Sequence, residues 1–248
     1  MRSLILGGTK GLGRALAIEA LARNITPIVA GRSAHAASKD AELAGSVFMS
    51  HDLSDAEDAL KPDFAGYLKD VTRVFWVAGS FLRKPLTECT TEELDEMTKL
   101  HFTGPAATIA IIHRIMKMAR PLADDPGQPY HLVTIASSSS WRMRDNETSY
   151  CALKAAKAHF TRNFAHEMFR DLPGSKVTLV HPGGLKTPNF WGAAGQDIGG
   201  FMEPADVARI IWDRTAGQTS RYDEFAILRN ADGSPRIEDG VHAPERPA

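Results

Sequence analysis

Short, almost continuously apolar runs alternate along this chain with longer stretches whose apolar residues recur at intervals of three and four. The runs at 3–6, 27–30, 47–49, 73–77, 131–135, 177–180 and 224–228 are brief and mostly rich in aliphatic residues. Strands buried on both faces of a parallel sheet read this way. Between them, the stretches 12–23, 91–119, 149–171 and 204–215 carry the helical pattern, with one apolar face toward a core. Strand–helix alternation of this regularity predicts an α/β fold: a single Rossmann-type doubly wound parallel sheet with helices on both faces. Right-handed crossovers leave few topologies for it. The segment 121–129, containing Asp124-Asp125-Pro126-Gly127, reads as a surface turn. No shift in composition, internal repeat or low-complexity tract divides the chain, so residues 1–248 are expected to form one domain.

Composition narrows the function classes. A chain of 248 residues, 43% apolar, is long enough to bury one large core. Its net charge of −1, without a run of one sign, offers nothing to nucleic acid or to an anionic membrane. Residues 1–6 are too short an apolar run for a signal peptide or a membrane span, and no targeting segment is expected before the first strand. Cys89 and Cys151 make neither a disulfide framework nor a zinc spacing, and the nine histidines include no His-x-x-x-His pair. The expectation is a cytoplasmic protein with no metal.

Directly after the first strand comes Gly7-Gly8-Thr9-Lys10-Gly11-Leu12-Gly13, followed by a helical stretch. Glycines at 7, 11 and 13 let the backbone approach a pyrophosphate, and the helix N-terminus offers free N–H groups and partial positive charge. At a first strand–helix junction this loop points to a dinucleotide; elsewhere it would be an ordinary turn. NAD-binding folds usually place an acid at the end of the second strand, about 20 residues past the glycines, to hold the ribose 2′-OH. Here that region reads Val29-Ala30-Gly31-Arg32-Ser33, with no acid before Asp40. Arg32 and Lys10 are placed to grip a 2′-phosphate instead, unless both are merely solvated cations. The expected cofactor is NADP(H).

Tyr150 and Lys154 stand four apart in a helical stretch and so share one face. A nearby ammonium, helped by a positive nicotinamide ring, should lower the phenol pKa from about 10. Ser137 ends the strand Val133-Thr-Ile-Ala-Ser137, where its hydroxyl can hydrogen-bond a reacting carbonyl oxygen.

In this combination the chain resembles the short-chain dehydrogenase/reductase family from Ser3 to about Arg229. Gly7, Gly11 and Gly13 match its glycine motif, Asp52-Leu53 the acidic position that contacts adenine, and Ala78-Gly79 the end of its Asn-Asn-Ala-Gly motif. Ser137 precedes Tyr150 by the family's thirteen residues, and Tyr150-Cys-Ala-Leu-Lys154 matches its active-site signature. Pro182-Gly183-Gly-Leu185-Lys-Thr187 matches the late motif whose Thr contacts the nicotinamide carboxamide. The resemblance implies that Thr9 and Leu12 join the phosphate loop, that Lys10 and Arg32 occupy the basic positions of NADP-preferring members, that Lys154 also holds the nicotinamide ribose, and that the protein is a homodimer or homotetramer.

Three positions depart from the family pattern. Trp76 and Val77 replace the two Asn of the fourth-strand motif, which brings the usual polar bracing of the sheet into question. His101, in His101-Phe-Thr-Gly104, replaces the catalytic Asn that interrupts a long helix and helps hold a water beside the catalytic Lys. His101 reads either as a proton relay titrating near pH 6.5 or as a packed, hydrogen-bonded histidine. The last strand lacks the usual Gly-Gly and continues as Arg229-Asn-Ala-Asp-Gly-Ser-Pro235, which leaves the common tetramer interface open.

Two loops offer substrate contacts: 138–148, with Trp141, Arg142, Met143 and Arg144, and 188–202, with Phe190, Trp191 and Phe201. The second reads either as a lid over an apolar substrate or as a satellite core. Arg142 or Arg144 would favour an anion if it faces the substrate and contributes nothing if it faces water. The leading expectation is an enzyme that moves a hydride between nicotinamide and a small-molecule carbonyl or alcohol, with Tyr150 exchanging the proton. The alternative is a non-enzymatic NADP(H)-binding sensor or interaction protein, for which the Ser137–Tyr150–Lys154 set has no use.

Overall fold

The computed structural model describes residues 1–68, 70–119, 130–192 and 195–240; the turn expected at 121–129 lies outside them. Eight strands form one sheet: β1 (Arg2–Leu6), β2 (Thr26–Ala30), β3 (Val47–Met49), β4 (Val71–Trp76), β5 (His131–Ile135), β6 (Lys176–Pro182), β7 (Tyr222–Arg229) and β8 (Pro235–Asp239). Their order is β3-β2-β1-β4-β5-β6-β7-β8. All pairings from β3 to β7 are parallel, and β8 pairs antiparallel with β7. The helices are α1 (Gly11–Ala22), α2 (Ala34–Ala37), α3 (Phe64–Tyr67), α4 (Thr91–Thr98), α5 (Gly104–Ala119), α6 (Thr148–Asp171), α7 (Pro188–Trp191) and α8 (Pro204–Ala216). None of the described helices is long and apolar enough to cross a membrane.

The period of two along each strand divides the core between the two faces. Leu4, Leu6, Val74 and Trp76 point to one side, where they pack with Ile112 of α5 and Phe164 and Met168 of α6. Ile5, Phe75 and Val133 point to the other, against Leu16 of α1 and Ile211 and Trp212 of α8. The Trp212 indole N–H donates to the Leu16 carbonyl at 3.0 Å, so this large buried ring satisfies its only donor while joining two helices.

Two features differ from the sequence pattern. The helix expected over 91–119 is interrupted by a π-helical turn at Lys99–Thr103. A capping box between Thr90 and Glu93 starts α4. α5 then begins at Gly104 so close to the Leu53 carbonyl oxygen that a Cβ there would lie 2.0 Å from it. The extra residue of the π turn lets both helices keep their packing, and His101 lies within it. Beyond β7, the chain reverses at Asn230–Ser234 to add β8, an edge strand absent from the expected set. Asp232 accepts from the Ser234 backbone and hydroxyl, and Gly233 takes φ +85°, which makes the reversal a tight turn.

Because β1 lies between β2 and β4, the chain leaves it in opposite directions on its two sides. A crevice therefore opens beyond the C-terminal ends of β1, β4, β5 and β6, where this fold class binds ligands.

Candidate active site

The cleft at these strand ends has a volume of about 870 Å³. Its floor is the loop from β1 to α1. Gly7 adopts φ +91° and Gly11 φ +52°, and a Cβ on Gly7 would lie 2.7 Å from the Ala78 backbone. Gly13 sits against the Gly7 carbonyl oxygen. Lys10 occupies the N-cap of α1 but makes no side-chain capping bond, which leaves the first N–H groups of the helix to a ligand. This loop is a cradle that side chains would fill, and it fits a pyrophosphate.

The β2 end carries Gly31, Arg32 and Ser33 into the cleft. Asp40, the first acid after β2, is turned away and held by Arg14 at 2.6 Å. Arg32 therefore stands where an acid would meet a ribose 2′-OH. Asp52 also lines the cleft, with its carboxylate accepting from the Ser54 backbone and hydroxyl. The Leu53 side chain is buried beneath. On the opposite wall, the Thr187 methyl lies close enough to Gly11 that a Cβ there would meet it at 3.0 Å. Thr187 itself turns back to the Leu185 carbonyl. The structure thus brings the glycine loop, the Ala78-Gly79 strand end and the Pro182–Thr187 motif into one cleft, with Thr9, Leu12, Pro182, Gly183 and Leu185 also lining it.

Ser137 follows β5 in extended conformation, and its hydroxyl accepts from the Ser139 N–H at 3.1 Å. The same hydroxyl acts on the Tyr150 phenol, favouring its ionised form. Tyr150, Lys154, Ala158, Thr161, Ala165 and Met168 lie along the buried face of α6, so the helical period that packs this helix also delivers Tyr150 and Lys154 to the cleft. Burial pushes the Tyr150 phenol upward, against the lowering effect of Ser137. In the chain alone burial outweighs any depression by Lys154, whose Nζ lies 5.5 Å from the ring centroid. The chain's own residues therefore hold the phenol protonated. Lys154 is brought down to about 8 by desolvation. Its Nζ has no hydrogen-bond partner among the described residues, and a glycine at 79 leaves the space beside it open. A desolvated ammonium with open space beside it fits a ribose hydroxyl.

His101 is fully buried, with its ring 5.8 Å from that of Tyr150. Its Nε2 lies 2.9 Å from both the backbone N and the carbonyl O of Ser80, and its Nδ1 is buried without a partner. Desolvation, then the charges of Lys154 and Lys157, push its pKa well below 6.5. The inflection near pH 6.5 expected of a free imidazole is therefore displaced out of the neutral range.

Three further residues escaped the sequence reading. Lys157, wholly buried, donates to the Trp76 carbonyl at 3.2 Å and the Ala78 carbonyl at 3.5 Å, with its ammonium over the Trp76 indole. It braces the end of β4, where the family asparagines are missing. His181 bridges the Ser137 carbonyl oxygen (Nδ1, 3.2 Å) and Glu224 (Nε2, 3.0 Å). Burial acts to raise Glu224, but hydrogen bonds from His181, Arg162 and Tyr222 outweigh it and bring the carboxyl to about 2. An acid at the head of the apolar run 224–228 was the signal that could have found this network.

Phe190, Trp191 and Phe201 are half-buried and line the cleft, and the half-buried Phe81 packs against Phe190 and Trp191. Phe81 lies 5.0 Å from Tyr150 edge-on and 4.7 Å from Trp191. Trp191 donates to the Leu185 carbonyl at 2.8 Å. Phe190, Trp191 and Phe201 face the cleft as a wall, and the four rings also pack on one another. Arg142 and Arg144 line the same region.

A doubly wound sheet with a glycine cradle and a Ser–Tyr–Lys set at one cleft defines a dinucleotide-binding α/β protein. The profile of the "short chain dehydrogenase" family matches residues 2–196, and the chain belongs to that family of oxidoreductases. A 1-deoxy-11-beta-hydroxypentalenate dehydrogenase of Streptomyces arenae is 26% identical, covering 96% of this chain and 85% of the relative. An alcohol dehydrogenase from Thermococcus sibiricus, solved with 5-hydroxy-NADP, superposes with a TM-score of 0.72 at 22% identity, covering 91% of this chain and 94% of that one. A 3-ketoacyl-(acyl-carrier-protein) reductase from Brucella melitensis, solved with NADH, gives 0.77 at 17% identity, covering 94% and 98%.

Proposed function

We propose that this chain, as one NADP(H)-binding domain, interconverts a carbonyl and an alcohol, with Tyr150 exchanging the proton. The observation that carries this reading is the buried Ser137–Tyr150 pair with Lys154, opening onto the cleft that holds the phosphate cradle. When bound, reduced nicotinamide supplies a hydride to the carbonyl carbon. Ser137 and Tyr150 hydrogen-bond the carbonyl oxygen, and burial keeps the phenol protonated at neutral pH. As the oxygen takes its proton from Tyr150, the phenolate left behind is stabilised by the Lys154 ammonium. Lys154 also holds the nicotinamide ribose, Asp52 and Leu53 the adenine, and Thr187 with Pro182, Gly183 and Leu185 the nicotinamide. The name of the Streptomyces relative and that of the Thermococcus neighbour, both dehydrogenases, support this reading.

The neighbours include both NADP-type and NADH complexes, so the choice of NADP(H) rests on Lys10, Arg32 and the diverted Asp40. Arg32→Ala is expected to weaken NADPH about tenfold or more, the loss of a charge-assisted hydrogen bond, while sparing NADH. Fluorescence titration with both cofactors checks it; equal affinity of the wild-type protein for the two overturns the NADP(H) reading. The activity itself is tested with a panel of aldehydes, ketones and quinones, followed by loss of NADPH absorbance. No turnover on any of them favours the sensor.

The His101 geometry carries its own expectation. With Lys154 near 8, kcat/KM for reduction should fall as pH rises through that value and the ammonium is lost. Wild type and His101→Asn should show overlapping profiles between about pH 5 and 8, the range where an unperturbed histidine titrates. An inflection near 6.5 present only in the wild type restores the titrating relay.

A further inference from the structure

The aromatic wall leads somewhere. From Tyr150 it runs through Phe81 and Trp191 to Phe201, the last two rings 5.2 Å apart. At its far end, Arg229 of β7 lays its guanidinium over Phe201, 5.0 Å from the ring centroid. One Arg229 N–H donates to the Gly200 carbonyl at 3.1 Å. No carboxylate pairs with Arg229 among the described residues, although Arg236 and Lys186, which line the same cleft, are paired with Glu238 and Glu203. Stacking and one carbonyl bond therefore fix the plane of the fork and leave its other donors exposed at the rim of the cleft that Arg229 lines.

We infer that the substrate carries an oxyanion, carboxylate or phosphate, on an otherwise apolar frame, and that Arg229 binds that group. The inference rests on the dehydrogenase reading of the same cleft. The charge around the site agrees with it. Arg144 lines the cleft too, and among the described residues its lining carboxyls are Glu147 and, at the cofactor end, Asp52. Glu147 stands within the influence of both Arg144 and Arg83, so the local balance of charge stays positive. A cleft with low-dielectric walls and an excess of one sign concentrates ligands of the other. The wall supplies apolar contact next to Tyr150, and Arg229 supplies the single directional anchor beyond it.

Binding of three matched ketones to the full chain, with and without NADP⁺, tests this by isothermal titration calorimetry. The probes are 4-acetylbenzoate, 4-acetylphenyl phosphate and the neutral methyl 4-acetylbenzoate. At least one anion should bind about tenfold more tightly than the ester, and which anion does so distinguishes carboxylate from phosphate. Arg229→Gln should erase the preference and Arg229→Lys restore part of it. Added salt should weaken the anion and spare the ester in the wild type, a readout that needs no variant to fold. Ester binding as tight as both anions, no binding of either anion in the millimolar range, or a preference that survives Arg229→Gln overturns the inference. Anion preference without turnover of any ketone would instead remove the dehydrogenase reading and leave the anion site standing.

Discussion

Tyr150→Phe lowers turnover by about a thousandfold or more while leaving NADPH binding nearly unchanged. The variant removes one oxygen and almost no volume, so the ring contacts with Phe81 and His101 persist. What disappears is the proton donor, and general acid catalysis is worth about 10²–10⁴ in rate. The Ser137 hydroxyl keeps its bond from the Ser139 N–H and so stays in place. Steady-state turnover on the best ketone of the panel, beside a titration of NADPH fluorescence, separates chemistry from binding. A variant that retains a tenth of wild-type turnover means that another group supplies the proton.

Gly13→Ala removes NADPH binding and destabilises the fold by about 2–3 kcal/mol, the upper part of the usual cost of overpacking. Its Cβ would lie 2.0 Å from the Gly7 carbonyl oxygen and 3.0 Å from the Gly8 Cα, both backbone atoms with no rotamer to yield. α1 would have to move off the loop, and the cradle would move with it. Gly66→Ala is the contrast. Gly66 lies in α3 with nothing within 4 Å of an added Cβ, so that change should be neutral or stabilise by about 0.5–1 kcal/mol through helix propensity. Urea midpoints of the two variants measure the difference. A Gly13→Ala protein that unfolds with the wild type and binds NADPH normally contradicts this account of the loop.

The elements that were legible in the sequence are those whose cause is local. Buried parallel strands announce themselves as apolar runs, and the glycine loop needs only its own residues and the strand before it. Tyr150 and Lys154 share a helix face by spacing alone, and Ser137 follows a strand that reads plainly. β8 was missed because Pro235–Asp239 has no apolar run; three of its five side chains are exposed and it exists by pairing with the edge of β7.

The groups around the site answer to a different cause. Lys157 reaches carbonyls 81 and 79 positions away, and His181 meets Glu224 across 43. No spacing rule connects such pairs, because only the parallel stacking of β4 to β7 and the docking of α6 bring them together. The same holds for the protons. From its neighbours in sequence, Tyr150 should be acidified by Lys154, yet in the folded chain desolvation acts on both, raising the phenol and bringing the amine to about 8. Residue type and period determined which groups reach the cleft. Only the packed structure decided their protonation and their partners, because the free energy of a charge is set by the solvent it has lost, and that loss comes from the whole fold.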